Sequence, residues 1–361
     1  MGKICSCLCP PKDSDEGQRT SQQEALIRNS TRQANIMRIS KKDFDIIKLI
    51  GKGQFCKVFL VRKKKSGTIY AMKVMKKKDI DQKLQRIHTI NEKNILMKNT
   101  CPFIIQLKYS FQDYRKLYLV MEFVQGGELF YQIHKTERFS ENHAQFYIAE
   151  IVLALEYLHS NGIIYRSLKP ESILLDTEGH IKLTDFGLSK SGLDDKNPRA
   201  YTFCGTSEYL APEIIKNQGY DKAVDFWSLG AVLYEMIAGL SPFYAENKSE
   251  VYKNVLSRNF EIKPYFSQEA TDIINKLLTL DAFERSQHGE TLRQHSFFRG
   301  IDWEKMQKRE VTPPFKPKLS SNTDLRYFDE AFVGQPLTNS ITSTGNMSSY
   351  LYHDFTYVND S

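Results

Sequence analysis

Nowhere in its 361 residues does the chain carry an apolar run near the roughly 20 residues that a bilayer crossing requires, and no apolar secretory core follows Met1. These absences predict an intracellular protein. Cysteine is scarce: Cys5, Cys7 and Cys9 crowd the N-terminus, while Cys56, Cys101 and Cys204 lie scattered without partner spacing. A disulfide framework is therefore excluded and a reducing compartment expected. No internal repeat occurs at solenoid periods, which removes the repeat architectures. The formal charge of +7 is not spread along helices that could read a nucleic acid. It is concentrated in Arg62 to Lys65 and Lys76 to Lys78, which are either solvated surface or a patch that meets phosphate or anionic lipid.

What the chain has is enough apolar content, 41%, for one large globular unit with tails. Residues 1–43 are polar and aperiodic and read as a flexible arm. From Phe44, short β-rich runs follow at Phe44 to Leu49, Lys57 to Arg62 and Ile69 to Met75, punctuated by glycine. Residues 86–98 carry a helical pattern, and two further strand-like segments end in Leu117 to Phe123. Beyond Gly126 and Gly127 the pattern is mainly helical to about residue 298. The expected fold is α+β, with a β-rich small lobe and an α-rich large lobe. Residues 299–361 hold aromatic islands (Phe328, Phe332, Phe355, Tyr357) and read as a tail that wraps the globule.

Between the first two strand patterns, Gly51-Lys-Gly53-Gln-Phe-Cys56-Lys-Val58 supplies glycines that let backbone amides approach polyphosphate oxygens. A plain hairpin would carry the same glycine pair. Cys56 stands at the third small position and makes the loop bulkier. Lys73 sits inside an apolar strand, where an uncompensated ammonium is expensive to bury, so it needs anionic partners. Glu92 on the following helix and nucleotide phosphates would supply them. Asp185-Phe186-Gly187 ends a short hairpin and offers a carboxylate for Mg2+.

With Ala211-Pro212-Glu213, Asp225-Phe-Trp227 and Arg285 added, residues 44–298 resemble protein kinases. Thr202-Phe-Cys-Gly-Thr206, Tyr165 in place of the usual histidine, and the tail segments Pro313-Pro314-Phe315, Phe328 to Phe332 and Phe355-Thr356-Tyr357 are similar to the AGC family, in its protein kinase B and serum- and glucocorticoid-regulated branches. The resemblance implies the bilobal protein-kinase fold, ATP and Mg2+ as cofactors, and a monomer. It implies that Ile50, Gly51, Gly53, Val58, Ala71 and Leu174 enclose the nucleotide and that Met121, Glu122 and Val124 form the hinge. Lys73, Glu92, Lys169 and Asp185 would hold and orient the phosphates and metal. Leu96, Leu107, Tyr165 and Phe186 would stack into a column between the lobes. Glu128, which also borders the nucleotide, would with Glu171 and Glu235 meet the basic residues of a Ser/Thr peptide. Singly, each glutamate also reads as ordinary surface.

The departure lies in the catalytic loop, Tyr165-Arg166-Ser167-Leu168-Lys169-Pro170-Glu171-Ser172. Family members carry an aspartate at the position of Ser167, which accepts the substrate proton, and an asparagine at that of Ser172, which binds metal. A serine has no useful basicity near neutral pH, and general-base assistance is worth about 10²–10⁴ in rate, or roughly 3–5 kcal/mol of barrier. Ser172 keeps a hydroxyl that would touch Mg2+ weakly. Two readings stay open: a catalytically impaired kinase (pseudokinase) acting as a signalling regulator, and a slow Ser/Thr kinase for basic sequences. Ser207 also replaces a proline common in this segment. Arg166 would pair a phosphate on Thr202 placed by an upstream kinase, and Thr356, with Thr338 or Ser340, would be a tail phosphosite.

Met1-Gly2-Lys-Ile-Cys5-Ser6 fits the N-myristoylation pattern, with Gly2 as acceptor. One such chain binds membrane at only about 10⁴ M⁻¹, so palmitoylation of Cys5, Cys7 and Cys9 would supply a second signal. The alternative, a three-thiolate metal site, lacks the usual paired spacing. The expected location is cytoplasmic, peripheral on the cytoplasmic face of a membrane.

Overall fold

The computed structural model describes residues 39–80, 82–192, 199–336, 352 and 354–359. Gly2, Cys5, Cys7, Cys9, Thr338 and Ser340 lie outside them. The small lobe is built on β1 (Phe44–Lys52), β2 (Cys56–Lys63), β3 (Ile69–Lys76), β4 (Leu107–Gln112) and β5 (Lys116–Glu122), with helix α1 (Lys83–Met97) packed behind. Sheet order is β1-β2-β3-β5-β4, every pairing antiparallel. Two differences from the sequence reading have local causes. Strand β1 runs three residues past Leu49, because Gly51 and Lys52 still pair with Val58 and Lys57. Helix α1, expected from Arg86, begins at Lys83 instead. Gln82 gives no side-chain cap and the first turn holds no acidic residue, so no local signal marks the start.

The large lobe follows with α2 (Leu129–Lys135), α3 (Glu141–Ser160), the hairpin β6 (Ile173–Leu175) and β7 (Ile181–Leu183), α4 (Pro212–Ile215), α5 (Ala223–Ala238), α6 (Lys248–Ser257), α7 (Gln268–Leu277) and α8 (Ala282–Glu290). Ser140, Asn247, Ser267 and Asp281 cap α3, α6, α7 and α8 through side-chain oxygens, the residue types that satisfy the orphan amides of a first turn. Helix α5 is apolar nearly all round and is buried along its length, as expected of a helix enclosed by its neighbours. One core cluster runs through both lobes and includes Leu96, Leu107, Tyr165 and Phe186, with the Tyr165 and Phe186 rings 5.0 Å apart.

The tail wraps, as its aromatic islands suggest. Gly179 has φ +99°, and a Cβ there would collide with the Phe315 carbonyl, so glycine lets the tail lie against the β6–β7 turn. Phe328 stacks on Phe123 at 5.6 Å. The last segment returns to the small lobe, where Tyr352 and Phe355 are buried and strand β8 (Tyr357–Val358) pairs with β4 as a sixth strand. Sequence pattern carries no sign of that strand. The residues leading into it are held by Ser110 Oγ donating to the Phe355 carbonyl (2.6 Å), Gln112 Nε2 to Tyr352 O (2.6 Å) and Lys93 Nζ to Asp354 O (2.9 Å).

Arg285 locks the base of the large lobe. Fully buried, it donates to Ala223 O (2.9 Å) and Thr279 O (2.6 Å), pairs with Glu213, and lies over the Trp227 ring. Arg285→Ala leaves Glu213 as an uncompensated buried charge and is expected to cost about 3–5 kcal/mol, read as a lowered urea midpoint. An unchanged midpoint would show that Glu213 is neutral or rehydrated without it.

Candidate nucleotide and phosphotransfer site

The site lies where the lobes meet. Its roof comes from the β1–β2 turn: Gly53 N–H donates to Cys56 O (3.0 Å), and a Cβ on Gly53 would come within 3.0 Å of Cys56 Sγ. The cysteine at the third small position thus fills the space above Gly53. Ile50, Leu60 and Ala71 form a small apolar cluster, against which Val58, Phe123, Leu325 and Phe328 pack. Leu174 enters the floor from β6, and its strand meets the hinge where Gly126 N–H donates to Leu175 O (2.7 Å) and Leu175 N–H to Gly127 O (2.9 Å). Met121 and Val124 are buried in the hinge, while the Glu122 carboxylate pairs with Lys182 (2.9 Å). Leu325 and Phe328 at this edge were not foreseen as site residues. Their contact depends on where the tail crosses, which no local pattern encodes.

Lys73 on β3 reaches both carboxylate oxygens of Glu92 on α1, at 2.6 and 2.9 Å. Burial by itself would push the ammonium down, but Glu92, then Asp185, outweigh it and hold the group above its ordinary value. Lys73 is therefore a fixed cation aimed at the cleft. Asp185 follows β7 in a left-handed conformation (φ 60°, ψ 61°), a backbone state that costs a non-glycine residue of order 1–3 kcal/mol and that the packed Phe186 behind it sustains. It is exposed to the cleft, suited to one arm of a divalent cation held mainly by phosphate oxygens.

The catalytic loop is shaped from below. Asp225 of α5 is fully buried and accepts from Tyr165 N–H (2.9 Å) and Arg166 N–H (2.8 Å), with His159 Nε2 also 2.8 Å from its carboxylate. Arg166, at φ 63°, donates to Leu188 O (2.6 Å) and to the Tyr220 hydroxyl (2.7 Å), which donates to Thr202 O (2.7 Å). Arg166 thereby reaches the phosphosite segment through Tyr220, a link that spacing did not predict. His88 of α1 also faces it: burial, then the Arg166 charge, lower the imidazole from its ordinary value. Ser167 is buried and its Oγ has no hydrogen-bond partner among the described residues. Ser172 Oγ is engaged within the loop, 2.7 Å from Ser167 O and 2.8 Å from Lys169 O, and accepts from Lys169 N–H (3.1 Å). Ser172 is also buried, at 2% exposure.

Beside the loop, acids crowd together. Burial, then Glu171, push the Glu128 carboxyl up to about 7, with Lys169 opposing and Asp329 of the tail adding to the rise. Glu235 is likewise raised to about 7 by burial, although it accepts from the Tyr209 hydroxyl (2.5 Å); Glu171 and Glu208 reinforce the rise. Glu128 keeps access to solvent, so water screens part of its effect, whereas Glu235 is buried. Ser207 donates to Glu208 (3.1 Å) in this segment.

A β-rich and a helical lobe meeting at a cleft that carries Lys73, Glu92 and Asp185 form the protein-kinase architecture, and residues 44–298 match the family model described as protein kinase domain; the chain belongs to the protein kinase family. Within it, the chain stands with the AGC kinases near the protein kinase B and serum- and glucocorticoid-regulated branches. It is 41% identical over 346 residues to a RAC family serine/threonine-protein kinase homolog of Dictyostelium discoideum, covering 94% of this chain and 78% of the relative. Identity is 46% over 329 residues with Protein kinase 2 of the same organism, covering 89% of this chain and 68% of that protein. With the human serine/threonine-protein kinase Sgk1 it is 47% over 303 residues, covering 83% and 70%.

The raised acids give a stability test. A carboxyl whose folded pKa is raised contributes stability that is fully present below its unfolded value and is lost as pH rises through the folded one. From Glu235 and Glu128, unfolding free energy should fall between about pH 4.5 and pH 7 and then level. Replacing both by glutamine should flatten this decline in urea titrations across that window; an unaltered slope would contradict the assignment.

Proposed function

We propose that the chain is an AGC-type Ser/Thr protein kinase homologue that binds Mg–ATP but is impaired in transfer, and that it acts as a membrane-associated signalling regulator. The observation that carries this reading is the contrast within one site. The Lys73–Glu92 pair is formed, while the loop offers only the Ser167 hydroxyl where a proton must be taken. Members of the family use ATP and Mg2+; here Lys73 would meet the nucleotide phosphates and Asp185 would hold the metal, which neutralises developing phosphoryl charge when bound. Ile50, Val58, Ala71 and Leu174 would enclose the adenine against the hinge at Met121 to Val124. Ser167 can hydrogen-bond an acceptor hydroxyl without deprotonating it.

A second reading, slow transfer to Ser/Thr in basic sequences, is supported by Lys73, Lys169 and Asp185, since positioning and charge dominate a loose phosphoryl-transfer transition state. In either reading, Glu128, Glu171 and Glu235 would receive the basic residues of a peptide, whose cations favour the ionised carboxylates. A phosphate on Thr202 would meet Arg166 and His88, and one on Thr356 would add charge beside a tail already docked through its backbone. Single-turnover transfer from labelled ATP distinguishes the two. The Ser167→Asp, Ser172→Asn variant should exceed the natural protein by about 10²–10⁴; a ratio within about tenfold would reject the impaired reading. Mg–ATP should raise the melting temperature of the natural protein regardless.

Membrane association rests on the Gly2 pattern and its neighbouring cysteines alone. Gly2→Ala is expected to move the protein from the membrane fraction to the soluble one. Retention in the membrane fraction would remove acylation from the reading.

A further inference from the structure

Beside the catalytic loop lies a cavity of about 50 Å³ whose walls include Arg166, Ser167, Lys169, Asp185, Gly205 and Thr206. Ser167 is only 7% exposed, and its Oγ is unpartnered among the described residues. A buried hydroxyl left in that state costs about 1–3 kcal/mol, so the space calls for an occupant that accepts a hydrogen bond. Lys169 lines the same wall, and its charge, which also acts on Glu128, adds to the demand for an anion. The volume is several times the roughly 10–15 Å³ that one water needs.

A carboxylate meets these conditions. It is acceptor-only, with two oxygens on one side, and can take a hydrogen bond from Ser167 while facing the Lys169 ammonium. Asp185 lines the same cavity and repels a doubly charged phosphate more than a singly charged carboxylate. We propose that this cavity receives a carboxylate from outside the chain, carried by an acidic residue beside the phosphoacceptor, and that this carboxylate takes the proton Ser167 cannot. The proposal rests on the nucleotide-binding reading above. The acceptor O–H gives its proton to the bound carboxylate as its oxygen bonds to the ATP γ-phosphorus. The bond from that phosphorus to the bridging oxygen breaks, ADP leaves with the electron pair, and the carboxylic acid then returns its proton to solvent.

The test uses the full chain, Mg–ATP and two peptides that differ only in Asp or Asn next to the acceptor serine, in chloride or in formate at equal ionic strength. In single turnover the Asn peptide should react slowly in chloride and gain at least about tenfold, saturably, in formate. The Asp peptide should show that gain in chloride and little more in formate. Formate should also raise the melting temperature of the natural protein over chloride, and should neither accelerate nor stabilise Ser167→Asp, whose own carboxylate fills the space. A flat formate response, or an equal one in Ser167→Asp, overturns the carboxylate site. A formate gain with no difference between the peptides overturns the acceptor as its source. Loss of Mg–ATP stabilisation would instead reject the nucleotide reading, so the two failures are distinguishable.

Discussion

The Asp225 carboxylate, buried at the start of α5, holds two successive amide protons of the catalytic loop, those of Tyr165 and Arg166. Such charge-assisted bonds in a site sealed from water are strong, because nothing competes for the oxygens. They fix Arg166 in its left-handed turn, and from that turn follow the directions of the neighbouring side chains. Arg166 points toward Leu188 and Tyr220, Ser167 into the cavity, and Tyr165 onto Phe186. The loop therefore keeps its shape without the side chains that perform chemistry in related kinases. The bonds that set the loop's shape come from Asp225 and the backbone, and they leave the Ser167 side chain out.

The lobes are joined by charge as well as by packing. Glu122 of β5 pairs with Lys182 of β7 across the lobes, Lys73 and Glu92 tie the sheet to α1 within the small lobe, and one core cluster continues from Leu96 through Phe186 to Tyr165. The tail closes the assembly at two places. Leu325 and Phe328 cover the nucleotide side of the small lobe, and Tyr352, Phe355 and β8 fill the groove between α1 and β4. A sheet edge that would otherwise expose unpaired amides is in this way capped by the chain's own end.

Around the catalytic loop the charges are divided. Lys73 is held by Glu92 and Asp185, while Glu128, Glu171, Glu208, Glu235 and Asp329 gather beside the loop, where Lys169 acts on Glu128. Acids placed so close raise one another's proton affinity, and a cationic ligand relieves that repulsion.

Much of this was legible in the residues themselves. Glycine spacing, a lysine inside an apolar strand, and an acid ahead of Phe186-Gly187 pointed to residues that the fold brings to one cleft, with the Lys73–Glu92 pair formed. The serines at 167 and 172 were equally plain, and the weak basicity of a hydroxyl near neutral pH follows from their side chains alone. What the sequence could not fix were contacts made at long range. The strand Tyr357–Val358 is too short for any periodic signal and exists because β4 has a free edge. Phe328 meets Phe123, and Tyr220 links Arg166 to Thr202, only because the packed lobes bring distant segments together. That Ser167 Oγ meets no hydrogen-bond partner among the described residues is of the same kind, since whether a hydroxyl finds a partner depends on every wall around it. Local chemistry is written residue by residue, whereas burial and partnership are properties of the folded whole.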